Sequence, residues 1–323
     1  MPIEEVRPAV ASSVVAQTRG RAGCLRLSGP PVAGNARAAL ATALAAFGRD
    51  PNIYCTMLET ADATDRPPTG DWPGAEPLRA DLEAEYLAMW AIDRFPKPHV
   101  TLIESAATWP VLGLAICGTH KVADPAAAFA IREVPLGGVP GWGASHRLPA
   151  LPGQLGLCLA LTGASFDSAL AYRLGWLTHR IPARHFGHIK SRLETADPVD
   201  PLLDELDMGE AGSALDSYLD VIERCFSADS VGAILARLDA IRGAEADWAR
   251  TAAAAMRAAP PQVIAATHRL LTAHAQPALR DGLIMDFRVA MNWVPGRAGL
   301  DGLFAIPPGG DLAPPVQDPP SID

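Results

Sequence analysis

The chain has 323 residues, 49% of them hydrophobic, and a formal net charge of -9; that is long and apolar enough for one large core, which excludes a mostly disordered chain. A pI near 5.4 without any Lys/Arg block offers no field to gather phosphate backbones, so nucleic acid is not an expected partner. Five cysteines without a CxxC pair read as reduced thiols in a cytoplasmic protein.

Glu4 and Glu5 interrupt the start, so a secretory signal is not expected. The longest apolar run, Ala106 to Cys117, is about a dozen residues against the ~18 a membrane span needs. It contains Pro110 and Gly113 and reads as a buried strand entering a helix. No membrane partner is expected.

In chain order, residues 1–18 read as an N-terminal arm. Ala22 to Leu27 is a short strand stopped by Ser28-Gly29-Pro30-Pro31, Asn35 to Phe47 a helix rich in Ala and Leu, and Asn52 to Leu58 a second strand introduced by Asp50-Pro51. Strand, helix, strand within about forty residues is the grammar of an α/β fold. Thr60 to Pro77 reads as a long loop rich in Pro, Asp, Thr and Gly, of the kind that carries function. Leu82, Tyr86, Met89 and Trp90 fall at i, i+4, i+7, i+8 and predict a helix over Leu78 to Arg94, ended by Phe95-Pro96-Lys97-Pro98. Val100 to Ile103 and Ala128 to Ile131 read as strands, and Leu112 to Gly118 as the start of a helix. Gly153 to Leu161 and Ser165 to Leu174 read as two helices broken at Thr162-Gly163. From Leu203 to His274 the chain turns Ala/Leu-rich and helical, and from Pro307 a Pro/Gly/Asp tail reads as disordered.

Local motifs in a fixed order make the sequence recognisable. Pro96-Lys97-Pro98-His99-Val100 opens a segment ending at Gly118-Thr119-His120. Phe129-Ala130-Ile131-Arg132-Glu133 is followed by Gly137, Pro140, Gly141, Gly143 and Arg147-Leu148-Pro149. Then come Leu161-Thr162-Gly163-Ala164, Ala171 to Pro182, and Ile222 to Leu238. This series, over roughly residues 19 to 305, resembles the crotonase (enoyl-CoA hydratase/isomerase) superfamily, most of all its 3-hydroxyisobutyryl-CoA hydrolase branch. The resemblance implies an α/β spiral of ββα units over residues 19–200, with a helical C-terminal region of the same domain over 201–306. It also implies an acyl-CoA thioester as substrate or ligand, and the trimers or larger homo-oligomers that such proteins often form. It carries no cofactor.

In this superfamily two backbone N–H groups hold the thioester oxygen as negative charge develops on it. Counting without gaps from Asp50-Pro51 lays the first donor motif on Pro67-Pro68-Thr69-Gly70-Asp71, with Pro68 at the donor and Thr69, Gly70 and Asp71 beside the CoA. Counting back from Gly118-Thr119-His120 lays the glycine turn on Trp109-Pro110-Val111, with Pro110 at the donor. Proline has no N–H, so both oxyanion positions read as degenerate; a one-residue shift would instead put Thr69 or Val111 there. Glu133 falls on the family's acid/base carboxylate, with a glutamate in the first turn of a helix as the alternative reading. The hydrolases' aspartate position is Gly141 and the hydratases' second glutamate position is Gly113, so the two branches are not separated. Trp109, Val111, Gly113, Gly141 and Trp142 are the expected pocket.

Of the histidines, His120 is expected to be a hydrogen-bonded structural residue, His146 is a substitute acid/base candidate beside the glycine loop, and His179 is noted with them because histidine changes charge near neutral pH. Arg79, Arg94 and Lys97 are candidate cations for CoA phosphates, with a solvated helix flank as the alternative. No metal-ligand spacing, Gly-x-Ser-x-Gly elbow or phosphate-binding Gly-Lys-Ser loop is present, so no metal is expected.

Overall fold

The structure, a computed structural model, describes residues 13–29, 34–63, 75–272 and 278–292. Pro68, Thr69, Gly70, Asp71 and the Pro/Gly tail lie outside the described residues. Residues 13–18, read above as an arm, enter the sheet: β1 (Ser13–Arg19) pairs antiparallel with β2 (Ala22–Gly29) across a turn at Gly20. Helix α1 (Gly34–Arg49) follows, burying Leu40 and Leu44. Strand β3 (Cys55–Ala63) starts later than expected because Asp50 first folds a turn, its Oδ1 accepting from Asn52 N–H at 2.8 Å and its carbonyl from Ile53 N–H at 3.1 Å. β3 also extends past Thr60 into the expected loop, since β2 continues to pair with it as far as Ala63.

Helix α2 (Ala75–Asp93) buries Leu82, Tyr86 and Met89 of the anticipated stripe and leaves Trp90 half-buried. Strand β4 (His99–Ile103) is buried at all five positions, as a central parallel strand with both faces covered must be. After β5 (Ala107–Thr108), helix α3 (Trp109–Ala115) starts three residues earlier than the sequence suggests. Pro110 fits its first turn, where a missing N–H costs no helix bond. Strand β6 (His120–Ala123), which sequence patterning does not announce, completes a crossover beside β4, and β7 (Ala128–Ala130) pairs with β5.

The short helix α4 (Ala144–Arg147) is followed by α5 (Leu155–Thr162), which is buried along its whole length. Ser165 to Asp167, expected to be helical, form strand β8 (Ser165–Asp167) against β7; Asp167 then caps α6 (Ser168–Arg173), its Oδ1 accepting from Leu170 N–H at 2.9 Å. Strand β9 (His179–Arg180) closes the larger sheet, whose order is β1-β2-β3-β4-β6-β9; β5-β7-β8 form a second, three-stranded sheet. Seven helices complete the described chain: α7 (Phe186–Glu194), α8 (Val199–Asp204), α9 (Leu219–Phe226), α10 (Val231–Ala240), α11 (Ala246–Ala258), α12 (Pro261–Thr272) and α13 (Leu279–Asn292). The last of them returns to pack on α2 and α4.

Among the described residues no helix is long and apolar enough to cross a membrane. The five cysteines are unbridged.

Candidate active site

The site is assembled around one tight turn. Ala144 N–H donates to the Gly141 carbonyl at 3.0 Å, and the two residues between, Trp142 and Gly143, have φ of 53° and 82°. Positive φ at both central positions is the type I′ requirement, which glycine meets freely and tryptophan does not. A left-handed conformation at a bulky residue costs roughly 1–2 kcal/mol, so the turn has to be held by its surroundings.

Three side chains hold it. The Trp109 indole N–H, from the first turn of α3, donates to the Gly141 carbonyl at 2.7 Å. The Tyr86 hydroxyl, from α2, accepts from Trp142 N–H at 3.4 Å. The Asp286 carboxylate, from α13, accepts from Gly143 N–H at 2.8 Å and from Ser145 N–H at 3.3 Å. The expected pocket residues Trp109, Gly113, Gly141 and Trp142 are thus brought together. Trp109 and Val111, however, are both buried in the large apolar core, with the Trp109 ring 5.2 Å from that of Trp176. Tyr86 and Asp286 were not anticipated as site residues.

The two positions that decide the branch differ in free space. A Cβ at Gly113 would lie 2.6 Å from the Trp142 carbonyl oxygen, a backbone atom that has no room to yield. A Cβ at Gly141 would lie 2.7 Å from the Tyr86 hydroxyl oxygen, with the next ring atom at 3.9 Å. The first position is closed by main chain and the second by a single hydroxyl.

Glu133 stands in a turn after β7, not in a helix, so the helix-dipole reading does not apply. Its carbonyl accepts from Gly138 N–H at 2.8 Å and its Oε2 is shielded from solvent. Burial pushes the Tyr86 phenol well above its ordinary range, and Asp286, Glu85 and Glu133 add to the rise, so these acids share one neighbourhood. Asp286, fully enclosed, is pushed up to about 7 by burial, against the pull of the Ser145, Gly143 and Ala144 donors.

Pro110 stands in the first turn of α3 without an N–H, and Val111 is the next residue that has one. The Lys97 ammonium donates to the carbonyls of Phe47 and Asp50 at 2.8 and 2.6 Å and so closes the end of α1. Arg79 pairs with Glu83 at 2.9 Å, and Arg94 lies over the Trp90 ring. His120 bonds Thr119 and Asp200, and His179 bonds Thr178 and Asp204; both histidines tie strand starts to α8. His146 packs on Gly282 of α13. Among the described residues no group of three or more His, Cys, Asp or Glu is placed to hold a metal ion.

Residues 67–305 match the family model described as enoyl-CoA hydratase/isomerase. The chain belongs to this family. Among curated members it is similar to the mitochondrial 3-hydroxyisobutyryl-CoA hydrolase of Rattus norvegicus, 26% identical over 91% of this chain and 82% of that protein. The Xenopus tropicalis protein of the same name is 27% identical over 78% of this chain and 66% of its own length. Among solved structures, a carnitinyl-CoA dehydratase from Mycobacterium thermoresistibile superposes with a TM-score of 0.78 at 24% identity, over 92% of this chain and 97% of that one. An enoyl-CoA hydratase from Rhodobacter sphaeroides 2.4.1 gives 0.77 at 24%, over 90% and 88%. These likenesses show the crotonase fold, with the helical C-terminal region expected of it.

Proposed function

We propose that this family member binds an acyl-CoA thioester and hydrolyses it, with 3-hydroxyisobutyryl-CoA as the nearest named substrate and Glu133 as the acid/base that exchanges protons with water. The observation that carries the hydrolase reading over the hydratase one is the difference in space at the two glycines. A second carboxylate at 113 would meet main chain, whereas at 141 only the Tyr86 hydroxyl stands in its way. With prolines at the counted donor positions, charge on the thioester oxygen has fewer N–H groups to meet it, so turnover is slow relative to members with two amides.

A second reading, a CoA-thioester binder without turnover, is favoured by one feature. Trp109 replaces a small residue with a fully buried indole and locks the Gly141 carbonyl.

Gly141→Asp alone should lower hydrolysis, because its Cβ, 2.7 Å from the phenol oxygen, displaces the turn. Combined with Tyr86→Phe, which removes that oxygen and with it the 3.4 Å acceptor of Trp142 N–H while Trp109 and Asp286 still hold the turn, the same aspartate should raise hydrolysis of 3-hydroxyisobutyryl-CoA by about 10- to 100-fold over the single variant, the lower part of the usual acid/base contribution. Equal rates for the single and double variants would remove the space argument.

A further inference from the structure

We propose that Asp286 is a positioning residue of the acyl-CoA site: its carboxylate, carried on α13, holds the strained turn from Gly141 to Ser145 in the shape that the substrate meets. The inference rests on the acyl-CoA reading and deepens it.

The turn needs such a group. Trp142 sits at a φ of 53° that a side chain disfavours, and Gly143 follows at 82°. A strained backbone persists only where its surroundings over-determine it. Asp286 supplies two of the turn's fixed points, accepting from the Gly143 and Ser145 amides. Ser145 Oγ donates to the Gly282 carbonyl at 2.9 Å, one helical turn before Asp286, so turn and helix are joined twice. The fit is close, since a Cβ at Gly282 would lie 2.7 Å from His146 Cβ and 3.2 Å from both His146 N and Ser145 Oγ. The turn in turn sets the Gly141 carbonyl that receives the Trp109 indole, and the Trp142 carbonyl that closes the space at Gly113.

A carboxylate is a costly choice for a fully buried position unless its charge is used. Burial, opposed by the Ser145, Gly143 and Ala144 donors, sets its poise, and other titratable groups stand nearby. Tyr86 and Glu85 face the neighbourhood from α2, and Glu133 from its turn; His146 packs on Gly282 from α4, and Arg79 of α2 lies over the adjacent Phe287 ring at 5.7 Å. Burial holds Asp286 near 7, against 3.8 ordinarily. Its contribution to stability is therefore complete below the ordinary value and is lost as pH rises through about 7. Ionisation of the folded chain, centred on the same value, creates the ion that binds both amides, so catalytic efficiency should climb around that midpoint, where the stability term has already fallen.

The experiment compares the full-length chain with Asp286→Asn. Three quantities are read for each: the ¹⁵N–¹H amide shifts of Gly143 and Ser145 against pH, calorimetric binding of 3-hydroxyisobutyryl-CoA, and kcat/KM against pH. In the wild type both amides should titrate together near neutrality, with kcat/KM rising through the same midpoint. In Asp286→Asn that titration should vanish from both, and kcat/KM at pH 8 should fall ~10²-fold, the size of a misplacement near 1 Å. Should the asparagine variant fail to fold, Gly282→Ala, which wedges α13 off the turn while leaving Asp286 intact, is expected to shift both amides and lower kcat/KM in the same direction. Amide titration that persists without Asp286, or kcat/KM unchanged in either variant, would overturn the assignment. A wild-type chain that binds no acyl-CoA overturns the acyl-CoA reading itself, and that is seen before any variant is compared.

Discussion

Replacing Glu133 by glutamine is expected to lower acyl-CoA turnover ~10²- to 10⁴-fold, the usual worth of a positioned proton-transfer group, with thioester binding largely retained. Glutamine keeps the shape of the side chain but can neither take a proton from water nor return one to the leaving thiolate. Glu133 is the group to test because it follows β7 in a turn whose main chain is independently fixed by Gly138 N–H and Leu136 N–H bonding its carbonyl, so the substitution leaves the backbone in place. A loss in kcat at constant KM marks an interaction made in the transition state; a rise in KM alone would instead assign Glu133 to substrate binding. Turnover unchanged in Glu133→Gln would remove it from the chemistry altogether.

The opposite result, a gain, is expected from the double change Pro68→Ala and Pro110→Gly. Each restores an N–H at a counted oxyanion position, and one such donor is worth ~10²- to 10³-fold in rate. Donors that act as a unit do not add, so the pair is expected to exceed either single change without reaching their product. The stability effect runs the other way. Pro110 occupies the first turn of α3, where proline is well suited; glycine there loses roughly 0.5–1 kcal/mol in helix preference and about as much again by freeing the unfolded chain. A faster but less stable double variant therefore separates donor restoration from a general improvement of the fold. Falling stability with no gain in rate would show that missing amides are not what limits the reaction.

Much of the fold is legible from patterning, and the exceptions have physical reasons. The α2 stripe is read correctly at Leu82, Tyr86 and Met89, which are buried, while Trp90 lies at its half-buried edge. Strand β6 escapes because it has four residues and opens with His120 and Lys121, too short and too polar for alternation to show. β8 is missed because Ser165 to Asp167 lead directly into α6, and a three-residue strand borrows the apolar run of the helix that follows.

At the site, Gly113, Gly141 and Glu133 are reached through motif order, but their meaning depends on space that no spacing rule encodes. Tyr86 hides in plain sight as a core position: the only signal is that a phenol within an apolar stripe must place its hydroxyl somewhere. Asp286 gives a comparable signal, a carboxylate between Leu283 and Phe287 on the buried face of α13. A charge at such a position is rarely idle.

The most direct measurement of the whole account is a calorimetric titration of the wild-type chain with 3-hydroxyisobutyryl-CoA, with free thiol release followed in the same samples. Saturable binding together with release slower by ~10²- to 10³-fold than in a family member with both oxyanion amides is expected. Absence of binding, or release at the full rate of such a member with Pro68 and Pro110 both in place, would contradict it.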